Sequence, residues 1–329
     1  MEADDGAELC FPQLLNASCR KSTLPGSKDV FLNTLLSSIS LLTVALNLLV
    51  IISVSHFRQL HTPTNILLLS LAVSDFLVGL LLMPGEILRN ITCWFLGDLM
   101  CSLYIYVGYI IPVSSVGVMV LISVDRYVAI CHPLHYTTGI TERRVKLCVC
   151  LCWFCSVFYS SLFVKDDLTQ PGRYNSCYGE CVIVVDRITD TINLVLTFIV
   201  PVSLIIVLYM RVFVVAVSQA RAMRSHITAV TLQRSVTLTA KKSELKAART
   251  LGVLVVVFLI CFCPYYCASL AGDSLLDTSP VIIGLYLYYF NSCLNPVIYA
   301  MFYPWFRKSV KLIVTLQILQ PGSCEANML

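Results

Sequence analysis

Seven apolar stretches, each long enough to cross a bilayer as a helix, recur along this chain and leave it few folds. They run at about 31–56, 65–88, 98–131, 146–164, 186–217, 244–271 and 279–303. A hydrocarbon core about 30 Å thick needs about 20 apolar residues per helical crossing. Composition agrees: 57% of residues are hydrophobic and 13% charged, against about 25% charged in a soluble domain. The mean hydropathy is +0.81. The expected fold class is an all-α membrane protein, a seven-transmembrane helix bundle at 31–303. A tail at 1–30 precedes it, and an amphipathic helix and tail at 304–329 follow.

Between Pro304 and Leu316, Trp305, Phe306, Val310, Leu312 and Ile313 alternate with Arg307, Lys308 and Lys311 at helical spacing. That pattern predicts a short helix lying on lipid. Basic residues set the orientation, because short cytoplasmic loops collect Lys and Arg. Arg221, Arg224, Arg234, Lys241, Lys242, Lys246 and Arg249 lie between the fifth and sixth spans, and no Lys or Arg occurs from Cys267 to Tyr303. The N-terminus is expected outside and the C-terminus inside, in the plasma membrane. The net charge of +4 is thus a topology signal and gives no support to a nucleic-acid partner. Met1-Glu2-Ala3-Asp4-Asp5 lacks a basic n-region, so no cleaved signal peptide is expected and the first span directs insertion. Asn16-Ala17-Ser18 is a glycosylation sequon on the outer tail.

Most of the 16 cysteines lie inside spans, among them Cys148, Cys150, Cys152, Cys155, Cys261, Cys263 and Cys267, and read as small apolar fillers rather than metal ligands. Cys10, Cys19, Cys93, Cys101, Cys177 and Cys181 face the oxidising exterior.

The seventh span ends Asn291-Ser292-Cys293-Leu294-Asn295-Pro296-Val297-Ile298-Tyr299-Ala300-Met301-Phe302-Tyr303-Pro304-Trp305-Phe306. Polar groups and a proline inside an apolar helix demand partners from neighbouring helices, and suit a helix that repacks. The spacing N-S-x-x-N-P-x-x-Y-x-x-x-Y-x-W-F resembles the fingerprint of the trace amine-associated receptors, a branch of the rhodopsin-like G-protein-coupled receptors. Asn47, Asp75, Asp125-Arg126-Tyr127, Trp153, Pro201 with Tyr209, and Cys261-Phe262-Cys263-Pro264 extend the resemblance over nearly the whole chain. Two departures stand out. Phe262 replaces the tryptophan usual two residues before the sixth-span proline. Asp125 to Tyr136 reads D-R-Y-V-A-I-C-H-P-L-H-Y, similar to odorant receptors.

The resemblance implies a Cys101–Cys181 disulfide and a second bond from Cys177 to the tail, at Cys10 or Cys19. It implies an activation switch of Asp125, Arg126 and Tyr127 with Glu244, Tyr209, Asn295, Pro296 and Tyr299, in which an Arg126–Glu244 pair breaks on opening. Asp75 is an acid in mid-span, functional by default. With Ser115, Asn291 and Asn295 by resemblance, it offers oxygen ligands suited to sodium or to a polar network; no other cofactor is expected. The implied partners are a small-molecule ligand, membrane lipid and a heterotrimeric stimulatory or olfactory G protein that raises cyclic AMP.

Ligand chemistry is the open question. Amine receptors carry an aspartate seven residues after the third-span cysteine; here that position is Gly108, with Pro112 one turn deeper. Some fish members lacking it carry an aspartate in the fifth span, eight residues before the proline; here that residue is Asn193. Acids still approach the pocket. Asp186, Asp190, Asn193 and Thr197 recur at i, i+4, i+7 and i+11, predicting one polar stripe. Glu86 lies 11 residues from Asp75, about three turns away on the same face. Tyr109, Phe262, Tyr265, Tyr266 and Tyr289 could surround a cation. One reading makes Asp190, with Glu86 as second acid, the anchor for an amine or diamine. A second makes both acids rim charges, and a third gives the receptor a neutral odorant. A transporter should show repeats with interrupted spans; none is visible. An enzyme reading finds no H-E-x-x-H, G-x-S-x-G or phosphate loop.

Overall fold

Pro84 and Pro201 shape the two helices that position the candidate site. The structure, a computed structural model, describes residues 9–14, 17–20, 27–91, 93–182, 184–227, 252–267 and 279–328. Asn16, Glu244, Asp273 and most of the basic segment between the fifth and sixth spans lie outside the described residues. The first span is α1 (Ser27–His56), and the second joins α2 (Pro63–Leu77) to α3 (Met83–Ile91) through a widened π turn at Val78–Leu82. The third is α4 (Asp98–Cys131), unbroken through Pro112, followed by the short α5 (Pro133–Gly139). The fourth is α6 (Glu142–Phe163), and α7 (Lys165–Thr169) lies in the loop beyond it. The fifth runs from α8 (Arg187–Leu194) through a second π turn, Val195–Ile199, into α9 (Val200–Ile227). The sixth is described as α10 (Gly252–Cys267). The seventh is α11 (Ser279–Phe302), then α12 (Pro304–Val314) follows. Among the described residues, five of these spans are long and apolar enough to cross a membrane. Among the described residues there are no strands, only the isolated bridges Leu9–Arg20 and Ser18–Tyr178.

Each π turn ends two residues before a proline, which has no N–H for the carbonyl four residues back, so the ladder loosens and takes in an extra residue. Second-span carbonyls find partners on neighbours: Ser40 Oγ donates to Gly79 O at 2.7 Å and Tyr104 Oη to Leu82 O at 3.2 Å. Pro296 acts likewise. The carbonyl it leaves free is that of Ser292, and Asn47 Nδ2 donates to it at 3.0 Å while also reaching Thr43 O at 2.9 Å. The seventh-span proline is thereby tied to the first span.

The four-residue polar stripe is corrected. Asp186 stands outside α8 as its N-cap, accepting from Thr189 N at 2.9 Å and Thr189 Oγ1 at 2.6 Å. Those bonds, the hydroxyl first, hold its carboxyl below the usual range. The stripe begins at exposed Asp190 and descends through half-buried Asn193 to buried Thr197.

Helix α4 is the central post, packed against α2, α6 and α9. Close approach between the sixth and seventh spans depends on Gly284: a Cβ there would lie 3.0 Å from the backbone N and Cα of Tyr265. Helix α12 buries Trp305 and Phe306 and exposes Arg307, Lys308 and Lys311. Arg307 Nη1 donates to Ala300 O at 2.8 Å and Met301 O at 3.1 Å, satisfying carbonyls at the end of α11.

Three disulfides close the other end. Cys101 pairs with Cys181 at a Cα separation of 5.6 Å, and Cys177 takes Cys19 at 5.0 Å. Cys10 is corrected: it pairs with Cys93, just after α3, at 5.6 Å, a partner the sequence reading had left unpaired. The tail lies along the loop, with Cys19 N donating to Tyr178 O at 2.9 Å and Tyr178 N to Ala17 O at 2.7 Å. Gly179, at φ +105°, makes the turn that Cys10 and Phe11 approach; such a φ favours glycine.

Candidate functional site

At the arginine end, one hydrogen-bonded knot joins three helices. Arg126 Nη2 donates to Asp125 Oδ2 at 2.6 Å and to Thr64 Oγ1, and Nε donates to the same carboxylate oxygen at 3.0 Å. Thr64 Oγ1 and Tyr136 Oη each donate to Asp125 at 3.0 Å, and Arg126 Nη2 reaches Tyr136 Oη at 3.3 Å. Asp125 is 2% exposed and Arg126 9%, so the pair is largely desolvated and held by charge-assisted bonds. Burial first, then the adjacent Asp125, raises the Tyr136 phenol above its ordinary value, keeping it a donor. Tyr136 sits on α5, so this loop helix is latched to the third span. Tyr127 packs edge-on to His132 at 5.5 Å. Around the knot, Tyr209, Tyr299 and Tyr303 bury hydroxyls with no hydrogen-bond partner among the described residues. The charge of Arg126 acts on Tyr209 and Tyr303.

Deeper in the bundle, Asn295 Nδ2 donates to Asp75 Oδ2 at 2.7 Å, and Ser292 is buried on the same helix. Asp75 is 2% exposed, with Ser115 and Asn291 also buried. The oxygens Asn47 Oδ1 and Asn291 Oδ1 are buried without partners among the described residues. A buried carboxylate with idle amide oxygens is a donor set that fits a small hard cation or water.

At the disulfide end, aromatic rings connect the fifth, sixth and seventh spans. Phe198 stacks on Tyr266 at 4.0 Å, Phe262 lies 4.7 Å from Tyr288, and Tyr265 lies 5.4 Å from both Tyr266 and Tyr288. Tyr109 meets Phe163 at 4.8 Å. Around Gly108, a built Cβ would find no atom nearer than Leu82 Cδ2 at 4.0 Å, so that third-span position opens on free space. Asp190 is exposed, and its charge acts on Tyr109, Tyr265 and Tyr266. Asn193 is turned away: its Oδ1 accepts from Tyr159 Oη at 3.0 Å.

Glu86, the expected second acid, has an ion-pair partner on its own helix. It is 6% exposed, with Arg89 Nη2 at 3.0 Å and Tyr104 Oη at 3.3 Å. Its charge is met within its own helix by Arg89. Sequence reasoning missed Arg89, Tyr104, Tyr136, Thr64 and Tyr288. The i, i+3 spacing of Glu86 and Arg89 was a usable signal; the others depend on tertiary contacts.

Residues 46–299 match the family described as 7 transmembrane receptor (rhodopsin family). Among curated proteins the chain is 37% identical to zebrafish (Danio rerio) trace amine-associated receptor 13c, over 98% of this chain and 97% of that one. It is 38% identical to rat (Rattus norvegicus) trace amine-associated receptor 8a, over 98% of this chain and 96% of that one. Mouse (Mus musculus) trace amine-associated receptor 4 is 33% identical over 98% of this chain and 95% of that one. A rhodopsin-type match across the spans and full-length similarity to one branch agree with the knot at Arg126 and the proline-bent seventh span: the chain belongs to the trace amine-associated receptors, G-protein-coupled receptors rather than enzymes.

Proposed function

We propose that the receptor is chemosensory, sits in the plasma membrane with its disulfide end outside, and answers a small protonated amine by activating a stimulatory G protein that raises cyclic AMP. Asp190 carries the ligand reading. It is an exposed carboxylate with no ion-pair partner among the described residues, its charge reaches Tyr109, Tyr265 and Tyr266, and the third-span position Gly108 opens on free space. An ammonium there gains a charge-assisted hydrogen bond and aromatic faces. The basic segment between the fifth and sixth spans and the cluster of disulfides at the opposite end support the orientation.

Ligand and G protein both favour the open state, so each raises the other's affinity. On opening, Arg126 leaves Asp125 and Tyr136, and the idle hydroxyls of Tyr209 and Tyr299 become its neighbours. Tyr136→Phe removes one donor to Asp125 and one contact of Arg126. A hydrogen bond to a charged group is worth about 1.5 kcal/mol, or about tenfold in the balance between latched and released. Basal cyclic AMP at matched surface expression is expected to rise; an unchanged basal level removes Tyr136 from the switch.

Asp75, Ser115, Asn291 and Asn295 would hold sodium in the closed state, where the ion supplies only positive charge. Raising sodium is then expected to weaken agonist binding in the wild type and to have no effect in Asp75→Asn. Equal sodium sensitivity in both would remove the ion from the site.

A second reading has one observation in its favour: Gly108 brings no charge and Glu86 is neutralised by Arg89, which suits a neutral odorant. Cyclic AMP dose–response curves against monoamines, diamines and neutral odorants separate the two. Activation by neutral compounds alone rejects the amine.

A further inference from the structure

A cavity lies between the end of the fourth span, the loop helix α7 and the start of the fifth span. Its volume is about 520 Å³, within the usual range for small-molecule sites of about 300–1,000 Å³. Asp166, Asp167 and Asp186 line it, with Tyr159, Phe163 and Tyr174 as aromatic walls. Lys165 is the lining residue of opposite sign, so negative charge predominates. No ion pair among the described residues engages any of the three carboxylates. Asp186 is held in its charged form by the Thr189 cap, whereas partial burial raises Asp167.

The fourth wall is apolar. Leu162, Val184 and Ile192 line the cavity and are 61%, 56% and 52% exposed. The cavity therefore offers carboxylates and ring faces on one side and an apolar flank on the other. That combination matches an ammonium carried on an apolar chain, which settles at the headgroup level of a bilayer. The aromatic wall continues toward the third and fifth spans: Tyr159 stacks on Phe163 at 6.2 Å, Phe163 meets Tyr109 at 4.8 Å, and Tyr159 Oη donates to Asn193.

We infer that this cleft is a second, outer ammonium site, distinct from the one at Asp190, in which Asp166 and Asp167 hold the head group of an amphiphilic amine between Tyr159 and Tyr174. The same head group could arrive on a free alkylamine or on a choline or ethanolamine phospholipid. The inference does not depend on an amine being the activating ligand.

The test is direct binding of a fluorescent alkylammonium probe to the purified full-length receptor in nanodiscs of anionic phosphatidylglycerol. The wild type is compared with Asp166→Asn/Asp167→Asn, with Asp166→Glu/Asp167→Glu and with Asp190→Asn. The outer site predicts saturable binding that weakens at least about tenfold in the double asparagine variant. Binding should persist in the double glutamate variant and in Asp190→Asn. Loss of probe binding in nanodiscs of phosphatidylcholine would identify the lipid head group as a competing occupant of the same site. Binding insensitive to the double asparagine substitution, or abolished by Asp190→Asn, overturns the outer site. If Asp190→Asn leaves amine signalling intact while the double variant still loses the probe, the activating-ligand reading fails and the outer site stands.

Discussion

Asp190→Asn is expected to raise the half-maximal concentration of an activating amine by about 10- to 100-fold, with surface expression unchanged. The substitution is isosteric and the position is exposed, so folding has little at stake. What disappears is one charge-assisted contact, worth about 1.5–3 kcal/mol, and each 1.4 kcal/mol is about tenfold in affinity. Glu86→Gln is the instructive contrast. It would take the counter-charge from Arg89, whose side chain is 36% exposed, and leave the buried Glu86 position without its ion pair, a loss that lowers stability. Its signal should fall through loss of folded receptor at the surface, with agonist potency preserved in whatever remains. Cyclic AMP curves normalised to surface immunostaining separate the two effects. Potency lost equally in both variants would restore Glu86 as a second anchor, and potency untouched in Asp190→Asn would remove Asp190 from the site.

That contrast marks the limit of sequence reasoning. Span positions were legible because twenty apolar residues have few alternatives, and the buried polar positions Asp125-Arg126 and Asn295-Pro296 because such residues are unusual inside apolar helices. The consequence of Pro296 was legible too: a freed carbonyl needs a partner, and Asn47 is that partner. Side-chain pairing was harder. Asp186 shares the helical spacing of Asp190, but the helix begins after it, and capping consumes its acceptors. The widened turns at Val78–Leu82 and Val195–Ile199 alter the 3.6-residue register that the stripe assumed. Tyr136 lay in plain view in a motif shared with odorant receptors. Its role depends on α5 docking beneath the third span, and local sequence does not encode that.

The disulfides show the same division, and they carry the second large effect. Cys101→Ser is expected to abolish most surface expression, whereas Cys10→Ser should leave the bundle folded and alter only the tail. Loop length does not separate them, since the bonds span 80 and 83 residues and the chain-entropy term is about the same for both. Position does. Cys101 and Cys181 are each 4% exposed and pack in one cluster with Trp94, Ile105 and Val164. Losing that bond frees the loop between the fourth and fifth spans from the third, at a cost of about 2–5 kcal/mol. That is a large share of a net stability of about 5–15 kcal/mol. Cys10 ties a half-buried tail that also holds on through Cys19–Cys177 and the hydrogen bonds to Tyr178. Thermal unfolding of the purified receptor decides the matter. A large drop in Tm for Cys101→Ser beside a small one for Cys10→Ser fits this account. Equal drops would mean that the tail is part of the folded core, and that the Cys10–Cys93 bond fixes the bundle as firmly as the bond at the head of the third span.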